Sequence, residues 1–432
     1  MPEEETEAGP ALGAGGGAAS PGAASRPVSG LVVVDHEFSV PLDHAVPAGA
    51  EIKVFCREVS APEGRERPFL VFFQGGPGHE APRPAGNPLN PAWMERALKE
   101  FRVLLLDQRG TGRSTPVGDL AGLTPVAQAE YLTHFRADSI VADAELIRRS
   151  LGVDRWSVLG QSFGGFCVLN YLSQAPGGLR EALITGGLPP VGLPVDEVYR
   201  ATYRRILERN RHYYELFPED RPRVLALQAR IGSDPLHLPS GDRLSWRRFR
   251  QLGIMLGMSN GAERLHHLVE LSPESPAFRH DLEAELSFSR NPLYAVVHEA
   301  CYADGGETRW SAARVQPEAF QSQPELFTGE HVYPWMFEEY GALAPLAGAA
   351  EALAQHSWPR LYDESQLHAN EVPSAALVFA DDPYVERRFS EETAALTRGM
   401  RLWLTNEYLH NALSADGARV LDRLLALARG GA

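Results

Sequence analysis

A serine sits in Gly160-Gln161-Ser162-Phe163-Gly164, between the apolar run Trp156-Ser157-Val158-Leu159 and Gly165-Phe166-Cys167-Val168-Leu169. A strand, a tight turn and a helix are the context in which a serine hydroxyl is held exposed at a sheet's carboxyl edge, with a helix N-terminus behind it. The small residues at 160 and 164 let strand and helix approach closely. A hydroxyl is a weak nucleophile until a base takes its proton and a carboxylate orients that base. In doubly wound hydrolases the partners follow in the order Ser, then Asp or Glu, then His, each just after a strand. Asp381 and Asp382 follow the strand-like Pro373-Ser374-Ala375-Ala376-Leu377-Val378-Phe379, and His410 follows Met400-Arg401-Leu402-Trp403-Leu404. Asp382 is preferred because the bend-forming Pro383 comes next, with Asp381 as the alternative.

Acyl transfer makes an oxyanion, which needs preorganised N–H donors. The amide of Phe163, just after the serine, supplies one, and the loop Gln74-Gly75-Gly76-Pro77-Gly78 supplies the other, assigned to Gly76. Pro77 has no N–H and stiffens the loop. A phosphate-binding loop would need a Lys-Ser/Thr ending and a following helix, and neither is present.

These groups need a sheet to carry them. Leu31–Val34 and Glu51–Phe55 read as an antiparallel opening. Pro68–Phe73, Phe101–Leu106, Trp156–Leu159 and Glu181–Thr185 are apolar runs of the kind buried on both faces. A helix over about 136–151 places Ile140, Leu146 and Ile147 on one side and Asp143 and Glu145 on the other. Strands alternating with helices imply a mostly parallel sheet. Between Pro194 and Ser357 strand-like runs disappear and helical spacing dominates, after which sheet texture returns and a last helix covers about 415–429. The expected architecture is an α/β-hydrolase fold with an inserted, mostly helical cap. Its parts are a disordered tail (1–26), core (27–193), cap (194–357) and core again (358–432).

Composition narrows the function. A net charge of −15 over 432 residues argues against nucleic acid or an anionic membrane surface as partner. Three scattered cysteines, Cys56, Cys167 and Cys301, suggest neither a disulfide framework nor a zinc site, so no metal and no cofactor is expected. The acidic start lacks the apolar core of a signal peptide, and no run reaches the eighteen apolar residues of a membrane span. A cytoplasmic protein is the expectation; oligomeric state is not legible.

The Gly-Gly-Pro-Gly loop, Asp107-Gln108-Arg109-Gly110-Thr111-Gly112-Arg113-Ser114 and Gly160-Gln161-Ser162-Phe163-Gly164-Gly165 together resemble the prolyl aminopeptidases, also called proline iminopeptidases. Asp381-Asp382-Pro383-Tyr384-Val385 and Thr405-Asn406-Glu407-Tyr408-Leu409-His410 are most similar to the longer bacterial subgroup. Gln74 departs from the His that many members carry, at a place where only backbone donors are needed. The resemblance implies a serine exopeptidase acting on peptides with N-terminal proline, with Ser162, Asp382 and His410 as its triad. It also implies cap glutamates that hold the substrate's cationic amine, for which Glu299 and Glu330 are the candidates and Glu407 the runner-up. Tyr333, Trp335 and Phe337 are candidates for the proline-ring pocket. Asp107 and Arg109 read as a bracing ion pair. The rivals are an esterase or a broader aminopeptidase on the same core, and a silent hydrolase fold used for binding.

Overall fold

The computed structural model describes residues 26–28 and 30–431, so the expected N-terminal tail falls almost wholly outside the described residues. One nine-stranded sheet organises them. Its strands are β1 (Arg26–Val28), β2 (Leu31–Pro41), β3 (Glu51–Ser60), β4 (Phe69–Phe73), β5 (Arg102–Leu106), β6 (Trp156–Gln161), β7 (Leu179–Thr185), β10 (Ser374–Phe379) and β11 (Met400–Thr405). The spatial order is β1-β2-β3-β5-β4-β6-β7-β10-β11. Pairing is antiparallel from β1 to β5, and β5, β4, β6, β7, β10 and β11 run parallel.

The continuous apolar runs follow from burial on both faces. Phe69, Val71 and Phe73 of β4 join one core and Leu70 and Phe72 join the other. The helices Trp93–Ala97 and Gly417–Ala428 cover the second core, while the first runs on without a break into residues 195–354. That interval leaves the sheet after β7 and returns before β10. It is mostly helical, including Val195–Leu216, Asp220–Ser233, Gly261–Val269 and Pro276–Leu286. Contrary to expectation it also holds a two-stranded ribbon, β8 (Leu236–His237) with β9 (Arg243–Leu244), too short to leave an alternating signature.

The helix at Ala137–Ser150 buries Ile140, Val141, Ala144 and Ile147, but Asp143 and Glu145 are buried too, because each has a partner. Arg109 grips Asp143 through Nε (2.7 Å) and Nη2 (2.5 Å) and donates to the carbonyls of Pro41, Leu42 and His134. The expected Asp107–Arg109 pair is therefore not formed. Asp107 instead accepts the amides of Ala81 (3.2 Å) and Arg113 (2.9 Å), fixing the loops beside the sheet edge.

Candidate active site

Ser162 ends β6 with φ 53° and ψ −125°, a left-handed backbone that L residues avoid unless their surroundings hold it. Its N–H donates to the Thr185 carbonyl (2.9 Å), and the helix Phe163–Gln174 starts at once. The flanking glycines are required by contact. A Cβ on Gly160 would lie 2.3 Å from the Gly164 carbonyl oxygen, and one on Gly164 would lie 2.0 Å from that of Phe73. The serine itself remains partly accessible.

The loop after β4 lies against this turn: a Cβ on Gly75 would come 3.0 Å from Ser162 Cβ and 3.7 Å from its Oγ. Gly76 has φ 130°, a conformation open to glycine. Gln108 Nε2 donates to the Gln74 carbonyl (3.0 Å) and steadies the loop. At the other side of the turn, the Phe163 amide is among the first N–H groups of the helix, which have no acceptor within it.

Asp382 and His410 arrive from the ends of β10 and β11. His410 Nδ1 lies 2.7 Å from Asp382 Oδ2, and both side chains are buried. The other oxygen, Oδ1, accepts the amides of Tyr384 (2.8 Å) and Val385 (3.2 Å), so the chain folds back over Asp382 through Pro383. Its neighbour Asp381 is exposed. Gly186 and Gly187, following β7, pack against the imidazole and the backbone of the serine turn respectively. A Cβ on Gly186 would meet His410 Cε1 and Nδ1 at 3.2 Å, and one on Gly187 would lie 2.2 Å from the Ser162 carbonyl oxygen. Burial works against a charged imidazole, but Asp382 and then Glu330 outweigh it, and the His410 pKa is held above the ordinary histidine value.

The segment over the sheet edge also grips the His410 loop. The His410 amide donates to the Gly257 carbonyl (3.0 Å) and the Leu409 amide to Ser259 Oγ (3.1 Å). The Ser259 amide and hydroxyl reach Asn411 Oδ1 at 2.9 and 2.8 Å, and Tyr384 Oη donates to the Ile254 carbonyl. The ring of Tyr384 stands edge-on to His410, 4.8 Å between centroids.

Of the anticipated amine-binding residues, the structure brings Glu330 to this place. Its Oε1 accepts the Tyr294 hydroxyl (2.6 Å), and it is close enough to His410 and Asp382 for their charges to be felt. Glu330 keeps some exposed surface, yet protein crowds the carboxyl, and burial pushes its pKa up to about 7. Glu299 is engaged elsewhere: its oxygens accept the amides of Ala312 (2.8 Å) and Ser311 (3.0 Å) at the start of the helix Ser311–Arg314, and burial raises its pKa to about 7 despite those donors. Glu407 is exposed and paired with Arg419 (2.6 Å), away from the pocket that its closeness to His410 in sequence suggested. Tyr333 is buried within the inserted helical segment, its hydroxyl 2.8 Å from that of Tyr203 and its ring stacked on Trp335. Trp335 in turn carries Arg247 over its ring, and Phe337 packs on Trp310, so these three aromatics do not line the site.

The rings that do surround it are Tyr294, His298 and Tyr302, with Phe166 and Tyr384. Their spacing of four residues, 294, 298, 302, was a readable sign of one helical face. A Cβ on Gly78 would lie 2.6 Å from the Tyr294 amide, so this helical face rests directly on the glycine loop.

The described residues hold no helix long and apolar enough to cross a membrane, and all three cysteines are free and buried. A sequence profile of the α/β-hydrolase fold matches residues 68–413, and the sheet order and elbow agree with it: the chain is an α/β-hydrolase. It is 45% identical over 420 residues to a proline iminopeptidase of Aeromonas sobria, covering 93% of this chain and 98% of that one. It is 33% identical over 422 residues to a proline iminopeptidase of Aspergillus aculeatus, covering 90% and 92% of the two chains. The chain belongs to the proline iminopeptidase family. The solved structure of a proline iminopeptidase from Mycobacterium smegmatis aligns with 90% of this chain and 98% of its own at 14% identity, with a TM-score of 0.44.

Proposed function

We propose that this enzyme is a serine exopeptidase that releases N-terminal proline from peptides through an acyl-enzyme. His410 takes the Ser162 proton as the hydroxyl attacks the prolyl carbonyl, and Asp382 stabilises the imidazolium. The amides of Gly76 and Phe163 receive the oxyanion. His410 then protonates the leaving amine, and water, activated by the same imidazole, releases proline. Residues 194–357 act as a cap that closes the site beyond the N-terminal residue.

The observation that carries the exopeptidase reading is Glu330, a carboxyl held by Tyr294 across from the His410–Asp382 pair. An esterase has no use for a costly buried acid there, whereas a substrate bearing a cationic amine next to the scissile carbonyl offers it a charge-assisted hydrogen bond. Glu299, held by backbone amides, shapes the cap around this group. The test compares p-nitroanilides of proline, alanine and N-acetylproline with a simple aryl ester, using wild type and Ser162→Ala. Wild type should prefer the free proline anilide, and the variant should lose about 10⁴- to 10⁶-fold in turnover while keeping its fold. Equal rates on blocked and free proline would refute the exopeptidase, and full activity in the variant would refute the nucleophile.

A further inference from the structure

On the helix Gly261–Val269 and its C-cap lies a group that the peptidase chemistry does not use. Among the described residues, His266, His267 and Glu270 form the one trio of histidine, cysteine or carboxylate side chains whose ligand atoms all come within 4.8 Å of one another. His266 and His267 lie in the last turn of the helix Gly261–Val269, and Glu270 caps it. Two of the three separations already suit a bound ion. Glu270 Oε1 is 3.5 Å from His266 Nε2 and Glu270 Oε2 is 3.4 Å from His267 Nδ1. Ligands about 2.0–2.1 Å from a tetrahedral zinc are separated by about 3.4 Å.

What distinguishes this trio from scattered surface histidines is the support behind it. His266 Nδ1 lies 2.9 Å from Asp220 Oδ2, and the Asp220 side chain is wholly buried. Asp220 is itself fixed by the Tyr213 hydroxyl (2.6 Å) and by Arg223 (2.8 Å). The His266 ring is stacked on Phe217, 4.1 Å between centroids. With Nδ1 committed to a carboxylate, Nε2 is the nitrogen left to bind, the arrangement by which metal-ligating histidines are set in tautomer and direction. His267 and Glu270 are exposed enough to complete the sphere by rotation, leaving a fourth position for water.

We propose that His266, His267 and Glu270, all at the C-terminal end of the helix Gly261–Val269, bind a zinc-class divalent cation, with Asp220 of the helix Asp220–Ser233 orienting His266. Two imidazoles and one carboxylate favour zinc, cobalt, nickel or copper over calcium and magnesium, which need all-oxygen shells.

The experiment uses tag-free full-length protein at pH 8, where protons compete less for metal ligands. Zinc chloride is titrated calorimetrically, and cobalt(II) is added to a separate sample for its visible spectrum. One zinc per chain, a Tm raised by about 2 °C or more and the intense absorption of low-coordinate cobalt are expected. His267→Ala and Glu270→Gln should each weaken zinc binding at least tenfold without changing hydrolysis of proline p-nitroanilide, since neither touches the serine site. Magnesium should give no response. Absence of zinc binding, or zinc binding of equal strength in both variants, would overturn the proposal.

Discussion

Replacing Glu330 by Gln keeps the side chain's shape and its contact with Tyr294 but removes the charge. A carboxyl moved from 4.5 to about 7 by burial costs up to about 3 kcal/mol more to ionise in the site than in water. A cationic substrate amine placed against it can recover that energy, and breaking such a desolvated pair costs about 2–5 kcal/mol. Taking 2–3 kcal/mol, kcat/KM for proline p-nitroanilide at pH 8 should fall about 30- to 200-fold. An aryl ester without an amine should lose less than threefold. The variant also predicts a pH effect of definite sign. Glu330 helps hold the His410 pKa up, so removing its charge lowers that pKa, and the acid limb of the ester profile should move to lower pH. In wild type, activity on the anilide should fall as pH drops through about 7, as Glu330 takes up its proton. Stability runs the other way. A carboxyl whose folded pKa lies above its unfolded one loses stability as pH rises from about 4.5 to 7, so Glu330→Gln should melt higher than wild type at pH 8. If the variant cleaves the proline anilide within threefold of wild type, or loses the ester equally, Glu330 does not bind the amine.

Two further changes test the scaffold. Gly164→Ala drives a methyl to 2.0 Å from the Phe73 carbonyl oxygen, backbone against backbone, and should cost about 3 kcal/mol or more with loss of the elbow; an unchanged Tm would contradict the close approach of strand and helix. Asp143→Asn leaves the Arg109 guanidinium buried without its carboxylate and should lower unfolding free energy in urea by about 3–5 kcal/mol; a loss below 1 kcal/mol would show that the carbonyls around Arg109 suffice.

The groups that act through backbone position were the most legible in the sequence. Gly160, Ser162 and Gly164 announce a strand-to-helix turn because few other residues fit there, and Asp382 and His410 announce themselves by following strands. Less legible was which side chains of the helical segment lie beside His410 and Asp382. Glu299 and Glu330 have similar apolar surroundings in sequence, and only the fold gives Glu299 two backbone amides and Glu330 the Tyr294 hydroxyl. Glu407 was attractive because it lies three residues from His410, but the loop turns its side chain outward to Arg419. Tyr333 and Trp335 are aromatic for the sake of the cap's own core. Arg109 finds Asp143 rather than Asp107 because the helix at 137–150 brings Asp143 to its guanidinium, a long-range fact without local signature.

The anchoring of the His410 loop by Gly257 and Ser259 has a consequence for how such enzymes diversify. A lid that merely shut over the pocket could be traded between relatives to retune selectivity, like a interchangeable tool head. Here His410 hangs partly from the main chain of the inserted helical segment, so exchanging or trimming that segment would misplace the imidazole. New specificities in this lineage are more accessible by replacing side chains under an unaltered lid than by acquiring a foreign one.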